Sequence, residues 1–239
     1  MQVSDDHIYK KLEQYKTANS IAPPVGWVQI YYDNILVEEK QNLVLAQGRG
    51  VSSQRVFNTN LTNYYEEIED FREHTVSHFA VGSGGAVITG DDAYTLQGPH
   101  ICDPSLYRPI SLGNLSLYLN DRHEYSEGDG QLHNSEHSIK EIDEITLVST
   151  DFPSQSQVET GPVCSEFTKV RCVCRLEDEP AALESGASVQ ISEAGLYAVR
   201  KDFEANNEEP RPIIFAHICF SPKFKEKEKP FSIIWYILC

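Results

Sequence analysis

The clearest pattern along the chain is a period of two over Glu166 to Leu176. Val170, Cys172, Cys174 and Leu176 fall on one side, and Lys169, Arg171 and Arg175 on the other. This alternation is that of a half-buried strand. Two later runs, Pro212 to Phe220 and Phe231 to Cys239, are apolar at successive positions, as a central or interface strand requires. Trp27 to Val37, Leu43 to Ala46, Thr75 to Val81 and Glu144 to Ser149 read as further strands, with turns at Asn34 and at Gln47-Gly48-Arg49-Gly50. Ser188 to Arg200 reads as a strand, a turn at Glu193-Ala194-Gly195 and a second strand, and Lys223 to Lys229 as a charged hairpin loop.

Helical spacing is confined to two places. In Ser4 to Ser20, Ile8, Leu12 and Tyr15 make one narrow stripe, with Ser4 as cap and Pro23-Pro24 as the stop. In Asn63 to Arg72, Tyr64, Ile68 and Phe71 share a face. Gly90 to Asn114 is rich in Gly, Asp and Pro and reads as irregular, and Asp121 to His137 reads as a polar exposed loop holding three histidines. The elements predict a mainly β fold. It is an antiparallel β-sandwich-like domain over residues 26–239, with a candidate subdivision near 120–140. A short N-terminal helix in an arm over residues 1–25 precedes it, and long irregular loops interrupt it.

Composition narrows the function classes. The 239 residues are 40% hydrophobic and 23% charged, as in a globular chain. The net charge of −16 repels phosphate backbones and anionic lipid surfaces, so neither nucleic acid nor membrane is an expected partner. No run reaches the roughly 18 apolar residues of a spanning helix. The polar start, Met1 to Lys11, predicts no secretory signal and synthesis in a reducing cytosol. Six cysteines in a chain of this length do not form a disulfide framework.

Candidate chemistry is sparse. Gly82-Ser83-Gly84-Gly85 lacks the lysine of a phosphate-binding loop and the spacing of a nucleophile elbow, and reads as a tight turn with positive φ angles. His133 and His137, with His123 and Asp121 or Asp129, offer a divalent-metal set if the segment is helical. Gly128, Gly130 and Asn134 argue against that helix. Cys164, Cys172 and Cys174 show C-x-C and not C-x-x-C spacing, and read as buried small residues. Glu66, Glu67, Glu69 and Asp70 read as a solvated charge run. The sequons at Asn60 and Asn114 carry no weight without a secretory signal. No cofactor is expected. The tail ribbon must be central in a sheet or covered by a partner. Ile233, Trp235 and Ile237 on one of its faces, with Ile8, Leu12 and Tyr15 of the arm, are therefore interface candidates.

Three stretches resemble segments of tailed-bacteriophage tail, baseplate and fibre-attachment proteins. The first is Val76 to Ala86 with its glycine run, followed by the Pro- and Asp-rich stretch to Pro109 that includes Asp103-Pro104-Ser105-Leu106-Tyr107-Arg108-Pro109-Ile110. The second is Ile191-Ser192-Glu193-Ala194-Gly195-Leu196-Tyr197. The third is Ile214 to Lys223, closed by Ser232-Ile233-Ile234-Trp235-Tyr236-Ile237. The resemblance implies a non-enzymatic structural component of the virion, assembled in the host cytoplasm. It would be a baseplate or fibre-attachment adaptor that meets tail hub, baseplate wedge or fibre subunits and forms a ring or trimer. It implies no catalytic residue. Two other classes remain open at this point: a receptor- or glycan-binding fibre module, and a metal-dependent enzyme using His123, His133 and His137.

Overall fold

The computed structural model describes residues 7–12, 14, 24–45, 48–49, 74–90, 93–101, 106–110, 117–123, 133–149, 169–177, 188–200 and 212–238. Twelve strands lie among them. They are β1 Val25–Tyr32, β2 Ile35–Val44, β3 His74–Gly82, β4 Ala86–Ile88, β5 Tyr94–Leu96, β6 Leu117–His123, β7 His133–Glu141, β8 Glu144–Ser149, β9 Lys169–Leu176, β10 Val189–Arg200, β11 Ile213–Lys225 and β12 Phe231–Leu238. Ten form one sheet in the order β6-β7-β3-β10-β11-β2-β1-β12-β9-β8, and β4 and β5 form a separate hairpin. Every strand pairing is antiparallel. The chain is thus mainly β and sandwich-like, with one short N-terminal helix.

The sheet curls until its two halves face each other, and the chain makes the corners. β2 pairs with β1 over most of its length, then passes to β11 at Leu43 and Val44. At the far corner only Ile142 and Asp143 separate β7, which pairs with β3, from β8, which pairs with β9. That link is tied to both halves. Ile142 N donates to Ser77 O at 2.9 Å on β3, and Asp143 Oδ2 accepts from Arg175 N at 2.6 Å on β9. Strands that change sheet at bends are the usual corners of orthogonal packing.

Between the halves lies the main core. Phe79 and Val81, Leu196, Ile218 and Phe220 from one half meet Val28, Ile30, Cys172, Cys174, Leu176, Ile233, Trp235 and Ile237 from the other. The alternation on β9 points its apolar side inward as expected. Arg171 and Arg175 on its other side reach Glu144 of β8. Part of each half's outer face is also covered. Residues 7–12 form a helical segment whose Ile8, Tyr9 and Leu12 pack on Val25, Tyr236 and Leu238. On the opposite outer face, Leu106 joins Leu45, Ala80, Ile139, Tyr197, Val199 and Ile214. This double burial explains why β10, β11 and β12 are apolar on both sides.

The turn expected at Asn34 is present and divides Trp27 to Val37 between β1 and β2. Asp33 and Asn34 hold φ of 52° and 61° between them, the two positive angles of a tight hairpin turn. Several sequence expectations are corrected. Glu193-Ala194-Gly195 is no turn but the middle of the unbroken β10. Its bulges beside Ile191 and Leu196 absorb the irregularity. Much of Asp121 to His137 is strand: β6 and β7 form a hairpin in which His123 pairs with His133. β11 runs on to Lys225, which is fully buried and donates to the carbonyls of Glu177 and Glu226. The expected helix over 63–72 lies outside the described residues.

The interface candidates also move. Ile233, Trp235 and Ile237 are in the chain's own core, and Ile8 and Leu12 are buried under its own strands. β12 sits between β1 and β9. The partner that the ribbon requires is supplied within the molecule. Tyr15 lies outside the described residues.

Candidate functional site

The most organised polar group is on the outer face of β10. Glu193 pairs in register with Gly82 of β3 and Cys219 of β11. Directly paired residues project to the same side of a sheet, as do positions two apart on a strand. Glu193, Cys219 and His217 therefore share one face. Glu193, His217 and Cys219 are all buried, the first two with side chains wholly inaccessible to solvent.

A buried carboxylate must be compensated by hydrogen bonds or opposite charge. Glu193 has four partners. Oε1 accepts from Gly84 N at 2.9 Å and Arg108 N at 2.7 Å. Oε2 accepts from Tyr107 N at 2.9 Å, and His217 Nε2 lies 3.1 Å from it. Cys219 Sγ is 3.8 Å from the same His217 nitrogen. The Tyr107 ring covers the imidazole edge-on, with centroids 5.0 Å apart.

The carboxylate thereby fastens two loop segments to a central strand. Residues 107–110 run along the end of β3, where Gly82 bridges Pro109, Ser83 N donates to Arg108 O at 2.8 Å and Ile110 N to Val81 O at 3.0 Å. The glycine run is needed for closeness. A Cβ on Gly85 would lie 2.0 Å from Ser192 O, and one on Gly84 would lie 2.6 Å from Tyr107 Cβ. None of the described glycines takes a positive φ in the left-handed region. The expected positive-φ turn is replaced by a backbone pressed against β10.

From this base the β4–β5 hairpin extends against β11. Gln97 N donates to Gly85 O at 2.9 Å, and Tyr107 Oη to Gly98 O at 2.8 Å. Val87, Ile88, Tyr94 and Leu96 of the hairpin, and Ile101 after it, are each at least 40% exposed. A two-stranded hairpin is marginal by itself, and this one is supported by its contact with β11 and by the Glu193-fastened base.

The other sequence candidates lie elsewhere. His133 and His137 lie on β7, where four positions advance the backbone about 13 Å. The helix that would have joined them does not form. His123 faces His133 across the ladder and Asp121 faces Ser135. Asp129, Cys164, Glu66, Glu67, Glu69 and Asp70 lie outside the described residues. Cys172 and Cys174 line the main core, and burial pushes the Cys174 thiol well up, as expected of an inert cysteine.

Sequence reasoning passed over Glu193, His217 and Cys219. One available signal was a glutamate inside an otherwise apolar run, which only a compensated site tolerates. No family model matches the chain, and neither a curated protein nor a solved structure matches it.

Proposed function

We propose that the chain is a non-enzymatic structural component of a bacteriophage tail, a baseplate or fibre-attachment adaptor. The single observation that carries this reading is the β4–β5 hairpin, which lies against β11 and leaves a cluster of apolar side chains half exposed. Clustered exposed apolar side chains on a well-packed domain mark a contact surface. Here they sit on a structure with its own tie to a central strand, as an assembly contact requires. The resemblance to virion proteins supports the same reading. Its segments supply Gly84 and Gly85, Tyr107 and Arg108, Glu193, and His217 and Cys219, the residues that build the base of the hairpin.

The partners in this reading are neighbouring virion subunits, with the chain in a ring or trimer. The negative net charge keeps the free subunit apart from its copies until the apolar contact forms. Mass spectrometry of purified particles tests the proposal. The chain is expected among the virion proteins, and cross-links from Lys residues of neighbouring proteins are expected near residues 86–101. Particles that lack the chain would overturn it.

A further inference from the structure

We propose that Glu193, His217 and Cys219 form a site for one thiophilic divalent cation, with zinc the best chemical fit. The three donor atoms lie within 4.8 Å of one another. Nε2 of His217 is 3.1 Å from Oε2 of Glu193 and 3.8 Å from Sγ of Cys219. Around a tetrahedral zinc with ordinary bond lengths, these separations are about 3.3 Å for nitrogen to oxygen and about 3.6 Å for nitrogen to sulfur. The observed values differ by a few tenths of an ångström, which a side-chain rotation supplies.

The spacing is fixed by the backbone. Glu193 and Cys219 face each other in the β10–β11 ladder, and His217 is two positions before Cys219 on the same face. The outer shell is also present. Gly84 N and Arg108 N hold Oε1, and Tyr107 N takes one lone pair of Oε2, so the remaining Oε2 position, now turned to His217, is the one a cation takes. Such donors orient a ligating carboxylate.

Charge favours the same ion. A carboxylate, a thiolate and a neutral imidazole total −2, which neutralises a divalent cation inside a dry interior. Calcium and magnesium need six or more oxygen donors or retained waters, and a single carboxylate beside sulfur and nitrogen does not suit them. Binding ionises the Cys219 thiol, whose proton passes to solvent, and selects the His217 tautomer with its proton on Nδ1. Three protein donors leave one position for a non-protein ligand. This inference rests on side-chain geometry and is independent of the virion reading.

Because the site is closed to solvent, the ion must enter as the chain folds. The test unfolds the full chain, strips it with chelator and refolds it with cobalt(II). One cobalt per chain is expected, with the visible bands of a tetrahedral site and a thiolate-to-cobalt charge-transfer band. Cys219→Ser should abolish the charge-transfer band, while Cys172→Ser and Cys174→Ser keep it. Zinc should raise the melting temperature of the wild type but not of His217→Gln. Loss of one ligand should weaken zinc binding by more than about a hundredfold, beyond the effect of an outer-shell partner. A refolded wild type without bound cobalt would overturn the proposal, as would a charge-transfer band that follows Cys172 or Cys174 in place of Cys219.

Discussion

A single side chain, Glu193, decides how the outer face of β10 is finished. Replacing it with Gln turns one acceptor into a donor that faces backbone N–H groups. Each buried donor left unsatisfied costs about 1–3 kcal/mol. Glu193→Gln should therefore destabilise the chain by about 2–4 kcal/mol, read as a lower urea midpoint. His78 makes a separate prediction. Burial lowers its pKa, opposed by the nearby charge of Glu141, and its Nδ1 lies 2.8 Å from Ser77 Oγ. The unfolded chain then binds the proton more readily than the folded one. Stability attributable to His78 is fully present above about pH 6.5 and is lost as pH falls through the depressed folded value. His78→Gln should flatten that part of the stability profile, and an unchanged slope would contradict the assignment. At this scale the sequence was partly readable. Burial of Cys172 and Cys174 followed from alternation alone. Glu193 did not, because its four partners come from loops and a strand distant in the chain, and no local pattern encodes them.

Among elements, the N-terminal helix and β12 explain each other. The helix carries one apolar stripe and β12 has two apolar faces, so neither is stable exposed to water. Ile8, Tyr9 and Leu12 lie over Tyr236 and Leu238, with the Tyr9 and Tyr236 rings edge-to-face at 5.6 Å. Tyr9 Oη donates to Val170 O at 3.0 Å, and Lys11 pairs with Glu39. Leu12→Ala should cost about 2–5 kcal/mol, measured by chemical denaturation. A loss below about 1 kcal/mol would mean that the helix is not docked in solution. The sequence disclosed that both stripes needed cover but not that they cover each other, since pairing of distant apolar faces depends on topology. The same limit hid β6 and β7, whose polar composition hides their backbone ladder. It also hid the continuity of β10, where glutamate and glycine imitate a turn.

At the scale of the molecule, a curled sheet is closed by chain corners at β2 and at Ile142-Asp143, with part of each outer face covered. Within the described residues, the β4–β5 hairpin lies against β11 with its larger apolar side chains half exposed. Because these side chains are half exposed, Val87→Ser combined with Leu96→Ser should shift stability by less than about 1 kcal/mol and, under the proposed virion role, should block incorporation of the chain into particles. Unfolding of the double variant would make the hairpin part of the core. Mainly β architecture, the short helix and the antiparallel order of the tail were readable from periodicity. The β4–β5 hairpin was not, because its strands are three residues each and lie in a stretch whose Gly and Asp content reads as irregular. The most direct measurement is a cryo-EM reconstruction of the intact particle at side-chain resolution. The account predicts the chain in the tail, with Val87, Ile88, Tyr94 and Leu96 buried against a neighbouring subunit. A particle in which that hairpin faces open solvent would contradict it.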